Sequence, residues 1–213
     1  MLPNPVISGF DAAANFPDFA NSKENIARDL ALAKDAGFTD IVVDVRPTTG
    51  DVLFKTNLVD QVKFMYAWIG SNYTKVERTA TWDYLQAFVD EARKQGLRIH
   101  AAINTFVGGN QIDGGTGLLY RDQSKAEWAT QMNMQVGITS VMNTSESTKF
   151  FNPAHPEVQT FLCDLLKDLA GYDLDGIFLD RGRSSIYKQT FPKNPANNLK
   201  NIWEASEFKT TRT

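Results

Sequence analysis

Ser22–Arg46, SKENIARDLALAKDAGFTDIVVDVR, holds a helix, a stop and a strand in direct succession. Ile26, Leu30, Ala33 and Ala36 recur near the 3.6-residue period of an amphipathic helix. Ser22 suits its N-cap and Gly37 its stop. The run after it alternates. Ile41, Val43 and Val45 take one face of a strand, and Asp44 and Arg46 take the other.

The same design recurs outward from this stretch. Strands are expected at Val6–Ala12, Asp40–Arg46, Arg98–Phe106 and Gly176–Arg181. Helices are expected at Ser22–Ala36, Thr81–Gln95 and Pro156–Gly171, the last opening on a proline in its first turn. Alternating strands and helices predict a parallel sheet with helices packed outside it. The helix-to-strand links are only GFT, GL and GYDLD. The strand-to-helix links are long, from Pro47 to about Ala80 and from Val107 to about His155. Connections of that length are usually functional. They gather at the carboxyl ends of the strands, where barrel enzymes build their sites. Open doubly wound sheets bind there too, but DAAANFPDF after the first strand lacks a phosphate-binding glycine loop. A complete barrel needs eight strands and roughly 250 residues. The expected fold is therefore α/β, a (β/α)8 TIM-barrel type with only its first four strands and three helices, spanning residues 1–183. Residues 184–213 are expected to form an irregular tail with one weak helical pattern at Leu199–Phe208.

Composition narrows the function. A net charge of −3 without blocks of like charge argues against a nucleic-acid partner. Cys163 stands alone, so it forms no internal disulfide, and it reads as a small buried residue of a helix. No apolar run reaches the roughly 20 residues of a membrane span. The opening MLPNPVISG lacks a signal-peptide pattern, and the compartment stays open.

Polar residues end the strands: Asp11, Asp44, Arg46, Asn104 and Asp180, with His100 deeper in its strand. A strand-end aspartate commonly caps a turn, but four strands sharing the feature at one end point to a site. His100 is equally a hydrogen-bonded interior histidine. Arg46 is placed to neutralise Asp44. Asp180 is the strongest catalytic candidate. Arg181 and Arg183 follow it, and their guanidinium groups are expected to keep it ionised, as a nucleophile or charge stabiliser requires. Asp175, at the other end of its strand, reads as a turn residue. The loop aromatics Tyr66, Trp68, Tyr73, Tyr120 and Trp128 suit either sugar stacking or a small loop core. GGNQIDGGTG lacks the ending of a phosphate loop. There is no zinc spacing and no nucleophile elbow, so no metal or cofactor is expected.

Three stretches together resemble the glycoside-hydrolase-like family 10 proteins, bacterial relatives of the α-amylase-like barrels. They are SKENIARDLALAKDAGFTDIVVDVRPTTGDVLF, LRIHAAINTF and FFNPAHPEVQTFLCDLLKDLAGYDLDGIFLDRGR. The resemblance implies a barrel glycosidase acting on a polysaccharide or oligosaccharide. Asp180 matches its catalytic strand-four position. Asn152 of the NP element, with Asp11, Asp44, Arg46, His100, Asn104, Arg181 and Arg183, is expected to bind substrate. Family members are commonly exported. They continue beyond DGIFLDR, whereas this chain turns into SSIYKQTFPKNPANNLK. The expectation is a fragment that lacks the second carboxylate, is inactive alone, and self-associates through open barrel edges. A non-catalytic carbohydrate-binding protein on the same barrel is the alternative.

Overall fold

The computed structural model describes residues 5–134 and 137–182. Four strands form one parallel sheet in chain order: β1 (Ile7–Phe10), β2 (Asp40–Arg46), β3 (Arg98–Asn104) and β4 (Gly176–Asp180). Each pairs in parallel with its neighbour, and a register shift separates Asp44 from Arg46 on β2. Alternation sorts the side chains as expected. Ile41, Val43, Val45, Ile99, Ala101 and Ile103 are all buried. Burying a side chain of this size stabilises by about 1.5–3 kcal/mol, so this face is the fold's main energetic anchor.

Helices α1 (Ala12–Phe19), α2 (Lys23–Asp35), α3 (Tyr84–Gln95) and α4 (Pro156–Leu169) accompany the sheet. Ser22 caps α2 by accepting the Asn25 N–H at 3.2 Å, and Gly37 follows the helix with φ 89°. Helix α3 starts later than expected. Asp83, not Thr81, is its cap, and Gly96 ends it in the left-handed region at φ 67°. Helix α1 is unexpected, because Pro17 lies inside it and reads as a breaker. Asp11 starts it, accepting the Ala14 N–H at 3.1 Å. Phe10 and Phe19 then pack on Phe88 of α3, with ring centroids 5.1–5.7 Å apart across the trio. Cys163 departs from its expectation. It is exposed, because α4 buries Val158, Phe161, Leu162, Leu165 and Leu169 instead.

The long links are ordered. Phe64–Ile69 and Asn72–Glu77 form an antiparallel hairpin after β2. After β3, Val107–Asn110 pairs with Thr148–Phe150, and Gln131–Met134 pairs with Gly137–Ser140. The glycine-rich stretch lets the two links touch. Gly117 has φ 77°, and a Cβ there would lie 2.6 Å from the Gly108 carbonyl oxygen and 2.7 Å from that of Thr49. No helix among the described residues is long and apolar enough to cross a membrane. The expected tail, residues 184–213, lies outside the described residues.

Candidate functional site

The second face of the sheet carries the polar side chains, in two groups at opposite ends of the strands. At the amino end, buried Asp40 accepts bonds from the Arg98 guanidinium at 2.7 and 2.6 Å and from Thr39 at 2.5 Å. Nε2 of His100 lies 2.9 Å from the same carboxylate. These bonds, those from Arg98 above all, hold the Asp40 carboxyl well below the usual range. His100 thus faces the amino end of the sheet, on the Asp40 carboxylate. Its other ring nitrogen needs Gly176 opposite, where a Cβ would lie 2.8 Å from Nδ1. Asp175 anchors the same end, accepting from Arg93 at 2.7 Å and from the Ile99 N–H at 2.8 Å.

The carboxyl end brings three aspartates together. Phe10 pairs with Val43, so Asp11 stands one step on, beside Asp44. Asp180 ends β4 opposite Asn104. Burial pushes the half-buried Asp44 carboxyl up to about 7. The bond it accepts from the Arg46 N–H at 3.1 Å opposes this, and the charges of Asp11 and Asp180 raise it further. Asp180 is exposed and accepts the Arg181 backbone N–H at 2.7 Å. The contact expected from the Arg181 guanidinium is therefore made by its main chain, which adopts the left-handed φ of 44°. Arg183 lies outside the described residues.

The Arg46 charge lowers the Asp44 carboxyl, as expected, but its guanidinium makes its hydrogen bonds elsewhere. It is fully buried, and it bonds the carbonyl oxygens of Asn104, Thr105 and Val107 rather than the Asp44 carboxylate. Burial lowers its pKa to about 10. Asn104 returns a bond from Nδ2 to the Arg46 carbonyl at 2.8 Å and is itself buried. This pair locks β2 to the end of β3, and both side chains are buried. Asn152 uses its side-chain oxygen on the Ala154 N–H at 3.0 Å, forming the turn into α4.

Sequence reasoning missed Tyr84. Its hydroxyl is buried without a hydrogen-bond partner among the described residues. Burial first, then the charges of Asp44 and Asp11, raise its pKa, which places it against the acidic group. Its only signal was a place in the first turn of a helix whose start was misjudged. Among the described residues, no three His, Cys, Asp or Glu side chains lie close enough to hold a metal ion.

A parallel sheet with carboxylates at its carboxyl ends and long ordered links above them is the arrangement of (β/α) barrel proteins. The chain belongs to the glycosyl hydrolase-like 10 family, which it matches over residues 11–200, past the point where the sequence reading ends the family pattern. An S-layer-related protein of Niallia circulans is 30% identical over 184 residues, 84% of this chain. The chain spans only 11% of that relative's length. Among solved structures, a hypothetical protein from Ruminiclostridium thermocellum superposes with a TM-score of 0.61 at 13% identity, covering 93% of this chain and 90% of that one. The galactosidase domain of an α-galactosidase–sucrose kinase gives 0.58 at 17% identity, over 95% of this chain and 25% of its own. α-L-Fucosidase isoenzyme 2 from Paenibacillus thiaminolyticus gives 0.55 at 17%, over 93% and 28%. These likenesses show the fold.

Proposed function

We propose that this chain carries the carboxylate site of a glycoside hydrolase that cleaves O-glycosidic bonds in a polysaccharide. The observation that carries the reading is the Asp44 carboxyl, pushed up to about 7 beside Asp11 and Asp180. Glycoside hydrolysis needs one protonated carboxyl and one carboxylate across the bond. Environments that drive neighbouring carboxyls apart make that assignment. Asp44 is then the acid, and exposed Asp180 the carboxylate that attacks or activates water. They stand two strands apart and two residues out of register, roughly 12 Å between backbones. Side chains converging from there suit the wider spacing of inverting enzymes, roughly 6.5–9.5 Å. In this reading Asp44 is the second carboxylate that the sequence analysis expects the chain to lack.

The test is release of reducing ends from a panel of polysaccharides. Asp180→Asn and Asp44→Asn are each expected to lower the rate by about 100-fold or more. Wild-type activity should fall as pH rises through about 7, because Asp44 loses its proton. Turnover that neither substitution changes would sink the assignment.

The four-stranded order, and a second face on which Phe178 and Asp180 are exposed, support a half barrel that recruits further barrel surface. Exposed aromatic rings on the β2 link favour a second reading, a non-catalytic carbohydrate-binding protein. That reading expects no turnover, and glycan binding that survives Asp180→Asn.

A further inference from the structure

The loop aromatics divide into two groups. Trp128 is 6% exposed, packs on Phe151 and Phe161, and donates its indole N–H to Glu157 at 2.9 Å. Tyr120 lies against Gly115. Trp128 belongs to the loop core, and Tyr120 is half-buried. The hairpin Phe64–Ile69/Asn72–Glu77 does the opposite. Alternation puts Phe64, Tyr66 and Trp68 on one face, and the register sets Tyr73 opposite Trp68. Tyr66 and Tyr73 stack with centroids 5.3 Å apart at 28°, and Trp68 lies 5.3 Å from Tyr73. Yet Trp68 is 68% and Tyr73 57% exposed. Leaving such rings in water forgoes the stabilisation that their burial would bring.

We propose that this hairpin is a binding platform for a neutral oligosaccharide, distinct from the aspartate group. Phe64, Tyr66 and Tyr73 line an open cavity of about 470 Å³. Its other walls include Asn110, Gln111 and Ser147, and no ionisable acid or base lines it apart from the tyrosine hydroxyls. Rings beside uncharged amides and hydroxyls match a pyranose, which has an apolar ring face and a rim of hydroxyls. The nearby cation Lys75 is already paired with Asp113, so an acidic ligand would gain little charge here, and a lipid would meet too many polar groups. The volume lies in the usual range for small-ligand sites, about 300–1,000 Å³.

The platform is also braced. Asp113 takes a left-handed φ of 51°, and its carboxylate accepts the Tyr66 hydroxyl at 2.9 Å and pairs with Lys75 at 2.5 Å. Lys75 in turn lies 4.1 Å from the centre of the Phe64 ring. Strained residues of this kind collect at ligand clamps, and rings held in place before binding lose less entropy when a ligand arrives.

The proposal takes its ligand class from the carbohydrate reading above but needs no catalysis. The full chain is titrated calorimetrically with cellohexaose, maltohexaose, mannohexaose and, as a charged control, hexagalacturonate. At least one neutral hexasaccharide is expected to bind. Trp68→Ala and Tyr73→Ala should each weaken it about tenfold or more, the equivalent of burying one ring face. Both residues are exposed, so thermal unfolding should stay cooperative and confirm intact folds. The titrations are repeated in the Asp180→Asn background, where turnover no longer adds heat, and binding there should still depend on Trp68 and Tyr73. The proposal is overturned if none of the neutral sugars binds. Preference for hexagalacturonate overturns it too, as does binding lost in Asp180→Asn but kept in both aromatic variants.

Discussion

Asp44 and Asp40 lie on one strand, yet their environments drive their carboxyls in opposite directions. Asp40 is lowered by its bonds to Arg98, so its contribution is present above its ordinary 3.8 and is lost on acidification below it. Asp44 is raised by burial from 3.8 to about 7. Between those values the folded chain holds a proton that the unfolded chain releases. Stability therefore falls as pH rises through this window, by at most about 4 kcal/mol, and the deficit persists above it. Asp44→Asn should match wild type near pH 4 and be the more stable protein at pH 8, as read from urea midpoints. A variant less stable at pH 8 would mean that Asp44 is compensated when ionised. Alternation puts both aspartates on one face of the strand. It could not distinguish them, because solvation and neighbours from three other strands decide a carboxyl's proton affinity.

At the scale of elements, local signals were legible where the chain acts on itself. Ser22 and Gly37 bound α2, and Gly96 ends α3, much as their side chains or conformational freedom dictate. Helix α1 was illegible because Pro17 masks a helix that Asp11 starts and Phe10, Phe19 and Phe88 hold in place. The hairpins within the links were equally hidden, since their pairing joins residues far apart. Arg46 shows how elements are tied. Its guanidinium gathers the carbonyls of Asn104, Thr105 and Val107, securing β2 to the chain leaving β3. Arg46→Met is expected to destabilise the fold by about 3–5 kcal/mol, because buried carbonyls lose a charged partner. Arg46→Lys should recover little of it, as one ammonium does not reproduce the planar fork. Chemical denaturation measures both. A Met variant as stable as wild type would show that water replaces the guanidinium.

For the whole molecule, the sheet is covered unequally. One face is sealed under helices along β2 and β3, but on edge strand β4 its Leu179 is 45% exposed, as is Phe178 of the other face, and Ile7 of β1 is 48% exposed. Among the described residues, β1 and β4 each pair on one side only. Open parallel edges beside apolar side chains invite pairing with another chain. The 213-residue chain is expected to self-associate as its concentration rises, in sedimentation velocity runs. A monomer of unchanged sedimentation coefficient across the series would contradict this.

The order of the four sheet strands with α2, α3 and α4, the apolar face of β2 and β3, and the end of the sheet that bears Asp11, Asp44 and Asp180 all followed from the linear sequence. They depend on short-range periods, and the periods of 3.6 and 2 are written in neighbouring residues. Which polar residues are open to a ligand was decided only in three dimensions. His100 turned to Asp40 and Arg46 to backbone carbonyls, while Trp68 and Tyr73 stayed in solvent as Trp128 entered the core. Each of these outcomes rests on partners tens of residues away, and a strand's alternation says which face a side chain takes but not what it meets there.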